Sequence, residues 1–540
     1  MNKLKAALAR LPAPWRKRRA DFPYLLTGDR DAVLPLRAAD HANIVAIAEQ
    51  DGAAVLRVTR EFAGSPVARE VARRLQRAGW SVVTQIDTGS VIRGQYGSSN
   101  TSERQADQHS MSANTAIFDQ LLRDAILQRA VEIRFHVRNG RCGVVHNIDG
   151  KVYLAESIDA QQGIDICSNV YTSLADPKSL EADKNTFSAE IDQSCVIMRE
   201  IDGAVYKLRY QSLPEADGGF DVTMRILPQG QRGDVPSLSK LNFTPSAIAI
   251  MQRAMRRRNG AIYMAGPVGG GKTSALYALL YRPQHDRFYY TLTFEDPPEY
   301  NQYGITRVPV EKIGYTNAVK RALRMGAHVV MIGEIRTHDM GFVAKVLSET
   351  GQKIVTTVHV NNANKIIDRL CGEEIGLPRQ TMCDMDMMAG LFYTCLLPRL
   401  CDCKLHATPE NLGERVAGQL ARLGVPLDGV RVHRPEGCPQ CKNGRRGRVP
   451  IVELIEPDDT YLRLMREGRD GDARDYWLGS CTTSVLDEDV TGKPKMATAL
   501  YRLSIGELDP ADLEADIDLL DKYTHRQQAP AVARRQLEAA

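Results

Sequence analysis

The sequence predicts a multidomain α/β protein: a phosphate-loop core on a parallel sheet, preceded by N-terminal α+β domains, with a small cysteine subdomain. Three observations carry this. "AIYMA", "GPVGGGKT" and "SALYALL" succeed one another across 261–280 as apolar run, glycine loop and helix pattern. Three later apolar runs each end in polar residues: "YYTLTF" in "EDPPEY" (295–300), "HVVMI" in "GEIR" (333–336) and "KIVTTV" in "HVNN" (359–362). Upstream, alternating strand-like segments interleave with helical ones.

Bulk composition bounds the function. A chain of 540 residues is too long for one core. Apolar residues are 43% and charged residues 25%, an ordinary globular balance. A net charge of +4 is small for this length and argues against nucleic acid as the main partner. No run reaches the ~18 apolar residues of a membrane span. The basic arm at 1–21 has no long apolar region and reads as no secretory signal. It reads either as a disordered or helical basic arm or as one resting on an anionic inner-membrane surface, helped by Trp15 and Lys17-Arg18-Arg19. The expected compartment is the cytoplasm, peripheral to the inner membrane. Thiols stay reduced there, so eleven cysteines suggest a metal site plus scattered thiols.

In chain order, residues 22–95 read as an N-terminal α/β module. The polar stretch "RGQYGSSNTSERQADQHSMSAN" places a linker at 96–111. A second α+β domain covers 112–227: a helix with Ile117, Leu121, Leu122, Ala125 and Ile126 on one face, then strands in "VEIRFHV", "AVYKLRYQSL" and "GFDVTMRIL". "PQGQRGDVPS", 228–237, reads as a hinge. The phosphate-loop core follows at 238–395, the cysteine subdomain at 396–456 and a helical region at 457–540.

Gly266, Pro267, Val268, Gly269, Gly270, Gly271, Lys272, Thr273 and Ser274 form the nucleotide loop, G-x-x-x-x-G-K-T. Glycines let backbone N–H groups turn onto phosphates, and the following helix N-terminus adds a favourable dipole. Lys272 is expected to reach the β- and γ-phosphates and Thr273 to ligate Mg²⁺. Ligands bind outside the carboxyl ends of strands in such sheets. Glu334 is therefore the candidate to polarise the attacking water or to hold Mg²⁺ through water, with Glu295 as a second candidate. "NKIID" misses the guanine-binding Asn-Lys-x-Asp spacing by one position, so ATP is preferred.

The ordered set "NGAIYMAGPVGGGKTSALYALL", "LTFEDPPEY", "LRMGAHVVMIGEIRT" and "TGQKIVTTVHVNNA" resembles the secretion ATPase superfamily, the hexameric motors of type II secretion and type IV pilus assembly. The preceding "LNFTPSAIAIMQRAMRRRNG" matches the family's approach to the loop. The likeness covers roughly 112–490. It implies a RecA-like core with Walker A loop, Asp box, Walker B segment and His box. On that basis Glu334 is the Walker B glutamate, Glu295, Asp296 and Glu299 belong to the Asp box, and His359 senses the γ-phosphate. Arg209 and Arg225, in "YKLRYQSLPEADGGFDVTMRIL", match arginines that such motors supply across a subunit interface. Three departures mark a divergent member: Gly326-Ala327-His328 for Asp-Pro-Asp, Thr337 for Asp, and Gln352 for His.

Cys401-x-Cys403 and Cys438-x-x-Cys441 form a candidate Zn²⁺ site, with His406 or Cys395 as substitute ligands. The resemblance places two C-x-x-C pairs here; this chain shortens the first. "NGRRGR", 443–448, reads as a solvated basic face or a contact for an acidic partner loop.

The expected function is a hexameric cytoplasmic ATPase that drives pilus or pseudopilus assembly through an inner-membrane platform protein, with no specific nucleic acid; the divergent boxes fit an outlying system such as the thin pili of conjugative plasmids. One alternative is a nucleic-acid translocase, which needs a basic, aromatic-lined channel; aromatics are only 6%. The other, motivated by the departures, is a nucleotide-gated scaffold with little turnover.

Overall fold

The computed structural model describes residues 24–28, 34–36, 40, 43–48, 53–60, 62–87, 92, 101–180, 186–216, 218–229, 236–287, 289–295, 298, 300, 302, 304–310 and 313–523. The basic arm, most of the predicted hinge, and the Asp-box residues Asp296 and Glu299 lie outside them. The chain forms two compact units, divided between Ile117 and Phe118.

In the first unit, β1 (Tyr24–Leu25), β4 (Ile44–Ala48), β5 (Ala53–Val58) and β6 (Ser81–Ile86) form one sheet in that order, while β2 (Thr27–Gly28) pairs β3 (Leu34–Pro35). The helix Pro66–Arg77 links the parallel pair β5 and β6, and Ser65 caps it by accepting from the Ala68 amide. Its Val71 and Leu75 pack with Ile44, Leu56 and Trp80.

A helix spans Thr101–Leu127 and so occupies much of the stretch read as a linker. From Thr101 on that reading is corrected: residues 101–111 are polar but hold no glycine or proline, so nothing there halts a helix growing from the apolar face at 117–126.

The second unit begins with a six-stranded antiparallel sheet, built from β7 (Ala130–Arg138), β8 (Arg141–Ile148), β9 (Lys151–Asp159), β10 (Gln193–Ile201), β11 (Ala204–Pro214) and β12 (Phe220–Gln229). Its order is β10-β11-β12-β7-β8-β9. One face is apolar: Phe118 lies 6.5 Å from Phe135, and the helix Ala160–Asn169 buries Ile166 and Cys167.

The core is a seven-stranded sheet ordered β15-β14-β16-β17-β13-β18-β21. Its strands are β13 (Ala261–Ala265), β14 (Thr291–Glu295), β15 (Ile305–Pro309), β16 (Val329–Ile332), β17 (Lys353–Val358), β18 (Met388–Leu400) and β21 (Arg445–Ile455). All pairings are parallel except β18–β21. The inner strands are buried on both faces, which is why they read as continuous apolar runs. Helices Pro245–Arg256 and Lys272–Arg287 cover one face. Helices Tyr315–Arg324 and His338–Glu349, with the C-terminal helices Asp459–Arg466 and Lys495–Ser504, cover the other. Because β18 and β21 belong to this sheet, the cysteine region is an insertion between its last two strands, with a small ladder of β19 (Leu405–His406) and β20 (Arg431–Val432).

Candidate nucleotide site

Four parallel strands end at one edge of the core sheet, and β13 delivers the glycine loop. Gly266, Gly269 and Gly271 adopt φ of 146°, 73° and 81°. A Cβ on Gly266 would stand 2.0 Å from the Thr394 carbonyl oxygen of β18, so only glycine fits. Lys272 opens the next helix and is 7% exposed. Its ammonium donates to the Gly266 and Pro267 carbonyls, each at 2.8 Å, and so is held at the loop's concave side. The Ser274 hydroxyl meets the Tyr300 hydroxyl at 2.5 Å.

The carboxylates gather beside this loop. Glu295 ends β14, is 3% exposed, and accepts from the Tyr277 hydroxyl. Gly333 follows β16; its amide donates to the Phe294 carbonyl at 2.9 Å, and a Cβ there would stand 3.4 Å from Glu295 Cγ. Glu334 comes next. His359 Nε2 lies 2.9 Å from its Oε1, and the Arg336 guanidinium donates to its Oε2 at 2.7 Å. Thr357 ties the ends of β17 and β16 by donating to the Gly333 carbonyl at 2.8 Å. Burial pushes the His359 imidazole below its ordinary value, aided by the Lys272 and Arg336 charges and opposed by Glu334.

Arg209 and Arg225 are directly opposed on β11 and β12, and Glu132 of β7 is the next residue in that row. Burial alone would raise the Glu132 carboxyl. Hydrogen bonds from Arg134 at 2.8 Å and Asn147 at 3.1 Å, with the charges of Arg134 and Arg225, outweigh it and hold the carboxyl low. Burial lowers the affinity of Arg448 for its proton, and the Arg225 charge adds to this. Arg448 in turn donates to the Gly269 carbonyl of the glycine loop at 3.4 Å.

Part of the "NGRRGR" charge is used within the chain, while Arg446 stays exposed as the solvated-face reading has it. Arg445 pairs with Asp512 of the same chain at 2.6 Å, Arg446 donates to Gln440 at 3.0 Å, and Arg448 touches the glycine loop. Tyr277, Arg336 and Arg448 escaped sequence reasoning; Arg336 had a signal in its place two residues after Glu334.

Two of the three departures stand at the opposite edge. Gly326-Ala327-His328 precede β16 and Gln352 precedes β17, at the strands' amino ends. His328 stacks on Tyr289 at 5.4 Å and accepts from the Tyr290 amide at 3.2 Å. Thr337 stands on the site's side, before the helix His338–Glu349.

The four sulfurs of Cys401, Cys403, Cys438 and Cys441 lie within 4.8 Å of one another. Cys401 Sγ is 3.8 Å from Cys438 Sγ, and Cys403 Sγ is 3.7 Å from Cys441 Sγ. A tetrahedron with metal–sulfur bonds of about 2.3 Å has edges of about 3.8 Å, so the donor set fits one soft cation. The Gln440 amide draws the Cys438 thiol down to about 7, while burial and the neighbouring thiols push Cys403 up to about 12. The substitutes proposed from sequence lie elsewhere: Cys395 is buried on β18 beside Tyr393, and His406 sits in the β19–β20 ladder.

No helix among the described residues is long and apolar enough to cross a membrane.

The family model described as "Type II/IV secretion system protein" matches residues 106–480. The type IV pilus assembly ATPase PilB of Thermus thermophilus is 26% identical over 485 residues, covering 85% of this chain and 50% of PilB. The type II secretion system protein E of Pseudomonas aeruginosa is 30% identical over 355 residues, covering 65% of this chain and 66% of that protein. The chain thus matches between half and two thirds of the length of these relatives. The Legionella pneumophila ATPase DotB shares the fold, with a TM-score of 0.51 over 74% of this chain and 95% of DotB, at 15% identity.

Proposed function

Because the chain belongs to the type II/IV secretion system protein family, we propose that it is a motor ATPase that couples ATP hydrolysis to assembly of a type IV pilus or type II pseudopilus through an inner-membrane platform protein. The named relatives are a pilus assembly ATPase and a type II secretion protein. The observation that carries the reading is the contact of Glu334 with His359 at the strand ends beside β13, which delivers the glycine loop.

In this reading the amides of 269–274 and Lys272 cradle the triphosphate, and Thr273 would hold Mg²⁺, which would supply charge neutralisation at the phosphates. Glu334 draws the proton from the attacking water. A neutral His359, kept so by burial and cationic neighbours, donates through Nε2 to Glu334 and reports the γ-phosphate. Buried Glu295, fixed by Tyr277, backs the metal side of the site. Arg209 and Arg225 meet charge developing on the γ-phosphate across a ring of six subunits, and closure of the six-stranded domain on the core is the mechanical step. Cys401, Cys403, Cys438 and Cys441 would hold a structural Zn²⁺. The basic arm would give peripheral contact with the membrane.

The test compares Mg·ATP turnover and nucleotide binding of the wild-type chain with Glu334→Gln and Lys272→Ala. Glu334→Gln is expected to keep nucleotide while losing about 100-fold or more in kcat. Lys272→Ala is expected to lose binding as well. Equal rates in all three proteins would reject the motor and leave a nucleotide-gated scaffold. Turnover that rises many-fold with single-stranded DNA, and not with the platform protein's cytoplasmic domain, would favour a translocase.

A further inference from the structure

The segment after β17 carries His359 and then passes through 360–362 into the turn Ala363–Lys365. Backbone at a strand end has polar groups that no ladder satisfies. In this chain they are taken up by residues remote in sequence. Glu453 of β21 is 6% exposed and uses both oxygens on backbone amides: Oε2 accepts from Ala363 and Oε1 from Lys495, each at 3.0 Å. The Lys495 ammonium donates to the Asn361 carbonyl at 3.0 Å and lies 5.1 Å from the centre of the Tyr393 ring. Asn364, 7% exposed, accepts from the Tyr461 hydroxyl at 2.7 Å and donates to the Asp470 carbonyl at 3.3 Å.

Adhesion alone does not call for this arrangement. Leu462, Met465, Leu500 and Leu503 already bury the C-terminal helices against the core. Burying a carboxylate costs free energy that an apolar contact would not. Burial drives the Glu453 carboxyl up, and the two amides with the Lys495 charge only partly offset this. What the polar contacts add is direction: they fix the Asn361 carbonyl, the Ala363 amide and the Asn364 side chain, two to five residues from the imidazole that touches Glu334.

We propose that Glu453 and Lys495, backed by Tyr461, are positioning residues for His359. They hold the 361–364 backbone so that the imidazole stays against the Glu334 carboxylate. The helix Lys495–Ser504 is thereby coupled to the reacting centre without touching nucleotide. This rests on the ATPase reading above.

The test places Lys495→Met and Glu453→Gln in the full chain, each alone and combined with His359→Ala, and measures kcat, KM, nucleotide affinity and Tm. Lys495→Met keeps the backbone amide that Glu453 accepts from, so it reports even where Glu453→Gln destabilises the fold. Each single change is expected to lower kcat by about 10-fold or more, as small misplacements of catalytic groups do, with KM and nucleotide affinity nearly unchanged. In the His359→Ala background neither is expected to add a further loss. Losses that multiply in the double variants, or that fall on KM and Tm with kcat intact, would overturn the clamp and leave the ATPase reading standing. A His359→Ala protein at wild-type rate would overturn the histidine's role and the clamp with it.

Discussion

Single residues at the site are constrained by charge and space, and both constraints can be measured. His359 takes up its proton only below the ordinary imidazole range, so the folded chain binds fewer protons there than the unfolded one. Turnover that needs the neutral ring should persist to about pH 6.5 and fall only in more acid solution. A pH–rate profile checks this, and a loss beginning above neutrality would contradict it. Lys353 is a sharper case. It is 3% exposed, its ammonium donates to the Ala254 carbonyl at 2.6 Å, and burial with the Arg257 charge lowers it to about 7. Since its folded value is depressed, the stability it contributes is greatest above about pH 10.5 and is lost as pH falls to about 7. Wild-type Tm should therefore gain on that of Lys353→Met as pH rises across this window. Gly266 illustrates space: Gly266→Ala puts a Cβ 2.0 Å from a backbone oxygen, and should cost about 1–3 kcal/mol in denaturant unfolding or displace β18 from the loop.

Among elements, the cysteine insertion between β18 and β21 combines a few buried apolar side chains, Leu420, Val425 and Val430, with its thiol cluster. Its ladder has two residues a side, and Gly437, Asn443 and Gly444 turn at positive φ around Cys438 and Cys441. Four thiols this close cannot all ionise without a cation among them. The purified chain should carry about one equivalent of zinc, and chelation or Cys438→Ser should lower Tm by about 4 °C or more. Metal analysis of the same sample settles which ion is present; no metal and no chelator effect would remove the site. The arginines at the end of this insertion reach the nucleotide loop through Arg448, so local loosening should be felt there.

Across the second unit, the turn between β8 and β9 fastens the six-stranded domain to the C-terminal region. Asp149 accepts from the Gly447 amide at 2.7 Å and pairs with Arg129 at 3.0 Å. Lys151 lies 3.2 Å from Asp512, which also binds Arg445, and the Lys442 ammonium stands 5.8 Å from the centre of the Tyr153 ring. Asp512 is only 3% exposed, so Asp512→Ala strands a largely buried arginine. That should cost about 3 kcal/mol. Hydrogen exchange should speed at the amides of 148–151 and 445–448, with those of β13 and β16 unaffected. Uniform loosening would show that the contact is not a separable latch.

The sequence by itself determined the core: β13, the glycine loop and its helix, and the strand ends bearing Glu295, Glu334 and His359. Nucleotide chemistry demands fixed residue types at fixed spacing, and strands buried on both faces leave unbroken apolar runs. It also exposed the pairing of Cys401 and Cys403 with Cys438 and Cys441. Only the tertiary structure decided what the polar residues between those motifs do. The helix through the supposed linker forms because nothing in it breaks helical hydrogen bonding, which composition alone disguised. Arg445 and Arg448 look like surface charge until folding brings Asp512 and the Gly269 carbonyl to them. Glu453 and Lys495 carry no motif at all; their meaning arises when β21 and a C-terminal helix close over the His359 loop, because a hydrogen bond depends on distance in space and leaves no spacing in the chain.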